Sequence, residues 1–201
     1  MKKWYFPFLL VCFLVSNLRA QNDQSAEKFQ QELNEMYKNP EKSPLKKSAK
    51  KFRGHNFFPI DSALRVEAKF IRTLNAIPFQ MKTTTSRLPI YEKYGEAHFT
   101  LEGRDMVLTV FQSHSSRDSE EYKDYLFLPY NDLTNGEESY TGGRYIDMRI
   151  PEGDKIVIDF NKSYNPYCAY SSNYSCPIPP QENSLDIKIR AGVKKPKKSK
   201  H

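Results

Sequence analysis

Two hydrophobic rhythms divide this chain. Across residues 22–38, Phe29, Leu33, Met36 and Tyr37 recur at three- and four-residue spacing among good helix formers, which predicts one amphipathic helix. Asp23 or Ser25 can cap its start, and Asn39-Pro40 ends it. Residues 41–53 are lysine-rich with a Ser-Pro step and read as a linker or an irregular covering strand.

From Phe57 onward the period is two. Val66, Ala68 and Phe70 alternate within residues 65–74, and Ile71 and Leu74 follow less cleanly. Ala97, Phe99 and Leu101 alternate against Glu96, His98 and Thr100, then Glu102-Gly103-Arg104-Asp105 turns into the apolar run 106–112, which predicts a β-hairpin. Residues 122–129 are aromatic and strand-like. Asn135-Gly136 and Gly142-Gly143 punctuate the segment that follows.

Tyr145, Asp147 and Arg149 then alternate against Ile146, Met148 and Ile150, Pro151–Asp154 turns, and residues 155–160 and 185–190 complete the strand-like runs. About eight short strands without a long helical run between them predict a mainly β fold. The expected form is an antiparallel sandwich or partly open barrel, with an N-terminal helix and a disordered basic C-terminal tail.

Targeting and charge refine this outline. Residues 1–20 read as a secretory signal peptide: Lys2 and Lys3, an apolar run from Trp4 to Val15, then a short polar end closing on Ala20. The run is too short for a comfortable membrane span, so no stable span is expected after cleavage. The mature chain divides into a helix and linker (21–55), a β-rich domain (56–193) and a basic tail (194–201). An exported, periplasmic or extracellular protein follows.

The net charge of +7 invites a nucleic-acid reading, but residues 56–193 hold 15 basic and 19 acidic side chains. The positive excess lies in the signal, the linker and the Lys-rich tail, so no nucleic-acid partner is expected.

The candidate chemistry is concentrated late in the chain. No H-E-x-x-H, G-x-S-x-G, P-loop or paired C-x-x-C motif is present, and no cofactor or metal is expected. His55, His98, His114 and His201 are scattered and read as surface histidines. Cys168 and Cys176 remain after signal removal, and in an oxidising compartment they are expected to form one disulfide.

Leu126–Tyr145 reads L-F-L-P-Y-N-D-L-T-N-G-E-E-S-Y-T-G-G-R-Y, Asp159–Tyr170 reads D-F-N-K-S-Y-N-P-Y-C-A-Y, and Cys176–Asn183 reads C-P-I-P-P-Q-E-N. On these motifs the chain resembles the domain of unknown function 1684 family over about residues 40–193. The resemblance implies kinship and marks this end as the family's hallmark, without implying an activity.

These residues support two readings. Arg144 carries a planar fork suited to a carboxylate or phosphate, and Asp159 and Asn161 share one strand face. In the architectural reading Arg144 pairs with Asp159, Asn161, Asn165 and Asn183 satisfy backbone groups, and the two cysteines clip a crossing loop. Such a clip is worth roughly 2.5 kcal/mol in the chain-entropy model.

In the functional reading Arg144, Tyr145, Asp159, Asn161, Tyr164, Asn165 and Tyr170 line a pocket for a small polar or anionic ligand, a glycan or a peptide. The alternatives are a hydrolase using Asp159 with Arg144, and a structural cell-envelope module.

Overall fold

The computed structural model describes residues 25–196. The expected signal peptide at residues 1–20 lies outside them, as does most of the basic tail. One helix, α1 (Ala26–Lys38), precedes seven strands: β1 (Arg65–Arg72), β2 (Phe79–Gln80), β3 (Ile90–Leu101), β4 (Arg104–Ser113), β5 (Tyr125–Tyr130), β6 (Arg144–Arg149) and β7 (Lys155–Asp159). They form an antiparallel half-barrel in the order β6-β5-β4-β3-β1-β7, with β2 also paired to β3. The mainly β expectation holds in its partly open barrel form.

Alternation explains the interior. Ala68, Phe70, Ala97, Phe99, Leu108, Val110, Leu126, Leu128, Ile146, Met148, Ile156 and Ile158 all point into one continuous apolar core. The predicted hairpin is present: β3 and β4 pair from Leu101↔Arg104 outward, through a turn with Glu102 and Gly103 both at positive φ (52° and 72°). Two left-handed residues match the natural right-handed twist of a two-residue hairpin.

Residues 185–190 join no ladder. Leu185, Ile187 and Ile189 are buried in alternation, but the segment crosses the core mouth, held by Leu185 N–H to Asn131 O and Leu133 N–H to Ile187 O (both 2.9 Å). The alternation correctly reported a buried face. It carried no information about which strand, if any, would pair there.

A gap in the sheet shows how this segment is tied in. β4 and β5 share one register pair, Phe111↔Phe127, and Pro129 has no N–H to extend the ladder. The Asn183 side chain fills the place of the missing peptide. Its Oδ1 accepts from Thr109 N–H (2.8 Å), and its Nδ2 donates to Thr109 O (2.8 Å) and Pro129 O (2.7 Å).

The helix is capped by Ser25, whose Oγ accepts from Lys28 N–H (3.2 Å). It buries Leu33 and Tyr37 against Val193, with Phe52, Tyr167 and Tyr170 packed around them. His55, expected on the surface, is half-buried in this aromatic cluster, edge-on to Tyr37 with centroids 4.4 Å apart. Its Nδ1 lies 2.9 Å from Asn34 Oδ1, and burial lowers its pKa to about 4.

Two outcomes follow. Asn183→Leu leaves three buried backbone groups unpaired. It should cost at least about 3 kcal/mol by urea denaturation, since each orphaned group costs about 1–3 kcal/mol. The imidazole is depressed in the folded state, so the unfolded chain binds the extra proton as pH falls from 6.5 towards about 4. Thermal stability should therefore be lost through that window, and His55→Gln should flatten the slope relative to wild type in a melting-temperature series.

Candidate functional site

The structure separates the residues that the sequence reading placed in one pocket. Arg144 lies wholly inside the fold, its side chain and that of Asp132 both 0% exposed. Its Nη2 donates to Asp132 Oδ2 (2.6 Å) and Ile189 O (2.7 Å), and its Nη1 donates to Ala191 O. Asp132 Oδ1 accepts from Thr134 N–H (2.8 Å) and Ile189 N–H (3.1 Å).

The expected Arg144–Asp159 pair is therefore corrected: the partner of Arg144 is Asp132. The physical reason is topological, because Arg144 opens β6 at one edge of the half-barrel and Asp159 ends β7 at the other. Gly143 before it sits at φ +83°, and a Cβ there would come within 2.6 Å of Pro179 and 2.8 Å of Tyr130 O. Only glycine lets the chain enter β6 this closely.

Asp159 and Asn161 remain together. Asp159 Oδ1 accepts from the Asn161 backbone N–H (3.0 Å) and Nδ2 (2.9 Å), which caps the turn Phe160–Lys162. Asn161 in turn binds residue 61 as a peptide would, accepting from Asp61 N–H (3.0 Å) and donating to Asp61 O (2.8 Å). Both line an open depression of about 320 Å³ with Ser25, Glu27, Ile60 and Arg65. Asn165 and Tyr170 lie elsewhere, near the aromatic cluster under α1, where Asn165 Nδ2 donates to Lys194 O (2.9 Å) and Tyr170 Oη (3.1 Å).

Tyr145 and Tyr164 lie on the outer face of the half-barrel, and there the structure shows a carboxylate that sequence reasoning passed over. Asp147 points outward from β6 and is solvent-exposed. Its Oδ1 accepts from Tyr125 Oη (2.6 Å) and Tyr164 Oη (2.5 Å). Surrounding protein raises the Asp147 pKa above the ordinary carboxylate value, and the two hydroxyls and Arg149 oppose that rise. Burial and the nearby carboxylate hold the Tyr125 and Tyr164 hydroxyls well above the usual phenol range, so both stay protonated donors.

Phe127 faces Asp147 across the ladder, and Tyr91, Phe127, Tyr145 and Tyr164 form a contiguous row of rings, tilted between Tyr91 and Phe127 and edge-to-face at the next two contacts. The alternation Tyr145-Asp147-Arg149 was visible in the sequence. The approach of Tyr164 was not, because it comes from a loop whose backbone pairs with Tyr145 (2.9 and 3.0 Å).

Cys168 and Cys176 are free thiols 3.3 Å apart, so the expected disulfide is unformed in this structure. Among the described residues no group of three or more His, Cys, Asp or Glu side chains is placed to hold a metal ion, and no helix is long and apolar enough to cross a membrane.

A family model described as a protein of unknown function (DUF1684) matches residues 50–194. The solution NMR structure of an uncharacterized protein from Haloarcula marismortui is similar to this chain at 31% identity and a TM-score of 0.64. The match covers 86% of this chain and 92% of that one. No curated protein matches it.

The enclosed ion pair makes a prediction that separates architecture from ligand binding. Arg144→Met leaves Asp132 buried without its cation and should cost about 3–5 kcal/mol in denaturant unfolding. Asp159→Asn retains an acceptor for Asn161 and should cost under about 1.5 kcal/mol in the same measurement.

Proposed function

We propose, from the premise that this chain belongs to the DUF1684 family, that it is a binding module for a small polar ligand received at Asp147 on the outer face. The carrying observation is an exposed carboxylate held between two tyrosine hydroxyls, with aromatic rings beside it. Both hydroxyls bind Oδ1, and Oδ2 can accept from a ligand hydroxyl or ammonium. The partly exposed rings of Tyr91, Tyr125 and Tyr164 offer stacking surface to an apolar sugar face or a cation, with Phe127 and Tyr145 buried behind them. A hydroxylated or cationic ligand therefore fits better than an anionic one, because Arg144, the expected anion anchor, is fully enclosed.

A second reading keeps the location expected from the sequence. Asp159 and Asn161 line the depression of about 320 Å³, which is open to a small ligand. The hydrolase alternative has weaker support: Arg144 is engaged inside the core, and Asp159 Oδ1 already accepts two hydrogen bonds from Asn161. Export remains part of the proposal, carried by the signal-like pattern of residues 1–20. In that compartment, closure of Cys168 onto Cys176 is expected.

The test is calorimetric titration of mature protein with neutral oligosaccharides and, separately, short polyamines. Wild type should bind one class, and Asp147→Asn and Tyr164→Phe should each weaken it by about tenfold or more, the loss of a charge-assisted hydrogen bond. Binding lost on Asp159→Asn but kept on Asp147→Asn selects the depression. Unchanged binding in all three variants, or no binding by wild type, removes the proposal. Mass analysis of exported protein should find a start at Gln21, and a retained leader removes the cleavage reading.

A further inference from the structure

The strongest unassigned chemistry lies at the two thiols. Cys168 is half-buried on the short turn Tyr167–Ala169, and Cys176 opens the extended Cys-Pro-Ile-Pro-Pro segment. The second cysteine is held on both sides: its N–H donates to Thr84 Oγ1 (3.1 Å), and its carbonyl accepts from Thr84 N–H (2.9 Å). Its sulfur accepts from the Cys168 backbone N–H (3.2 Å), so it is fixed against the residue it would bond. The Tyr140 hydroxyl lies 3.8 Å from Cys168 Sγ.

We propose that Cys168 is a nucleophilic thiol that exchanges with low-molecular-weight disulfides, with Cys176 as its resolving partner. The arrangement is asymmetric. Cys168 is the more exposed residue and has the Tyr140 hydroxyl beside its sulfur, whereas Cys176 is buried and restrained. The S–H of Cys176, with the Tyr140 and Thr84 hydroxyls, lowers the Cys168 pKa to about 6 despite partial burial. The same contact with Cys168 pushes the Cys176 thiol up. A thiolate at neutral pH beside a protonated partner is the state that attacks.

The chemistry closes without a metal or cofactor. The Cys168 thiolate attacks one sulfur of a small disulfide RSSR, forming the Cys168–S–S–R bond and expelling RS⁻, which takes a proton from solvent. Cys176 releases its proton to solvent and attacks Cys168 Sγ, and the second RS⁻ leaves and is protonated. Two protein thiols are oxidised to one disulfide, and one RSSR is reduced to two RSH. The bond closes the loop between residues 168 and 176, and the proposal is independent of what Asp147 binds.

The experiment treats the reduced mature chain (residues 21–201), which lacks Cys12, with glutathione disulfide and follows it by intact and peptide mass spectrometry. Wild type should lose two hydrogens and carry no adduct, while Cys176→Ser should accumulate a glutathione adduct on Cys168. Cys168→Ser should remain largely unmodified. In wild type, brief iodoacetamide labelling at pH 7 should mark Cys168 at least about tenfold faster than Cys176. The rate at Cys168 should titrate near pH 6. Equal labelling of the two cysteines, or a Cys168 rate that rises only near the ordinary thiol pKa of about 8.5, overturns the assignment. The labelling arm uses wild type alone, so a variant that fails to fold leaves the test intact.

Discussion

The enclosed Arg144–Asp132 pair is the interaction on which the architecture turns. A half-barrel has an open mouth, and here residues 185–193 close it with Leu185, Ile187, Ile189 and Ala191. An extended segment laid over a core mouth brings backbone polar groups into low dielectric, where each needs a partner. Arg144 and Asp132 supply them, binding the carbonyls of Ile189 and Ala191 and the N–H of Ile189. Burying two charges is expensive in isolation, and their mutual contact together with these backbone bonds offsets the desolvation. The pair acts less as a bridge between strands than as a socket for the closing segment.

Asparagine side chains repeat the same device at smaller scale. Asn183 replaces a peptide group in the gap between β4 and β5, Asn161 pairs with both backbone groups of residue 61, and Asn165 holds the carbonyl of Lys194. An amide side chain has the donor and acceptor of a peptide bond without its directional constraint, so it can satisfy a backbone that has left the ladder. This explains why the late motifs combine asparagine with proline. Proline forces the chain out of regular pairing, and asparagine supplies the hydrogen bonds that pairing would have made.

With those residues engaged in architecture, the available chemistry moves outward. Tyr164 belongs to none of the seven strands: it follows the turn Phe160–Lys162, reaches the outer face and meets Asp147 there. The loop that follows carries Cys168, and Cys176 begins the segment whose Pro177 carbonyl accepts from Tyr145 Oη. The carboxylate and the thiol pair are thus served by one stretch of chain, residues 164–177, folded over the aromatic side of the sheet.

The strand pattern, the helix and the β3–β4 hairpin were legible in the sequence because they depend on local periodicity and turn chemistry. Phe99 and Leu101 point inward for the same reason that His98 and Thr100 do not. The importance of the Arg144 and Asn183 region was legible too, from residue types that seldom gather without cause. Its partners were not: Asp159 was the expected acceptor, and only the strand order, which sets Asp159 at the edge of the sheet opposite β6, leaves Arg144 to Asp132. Asp147 looked like one more outward polar residue. Only the tertiary approach of Tyr164 converted it into a candidate site, because a side chain's chemistry depends on neighbours that sequence distance does not specify.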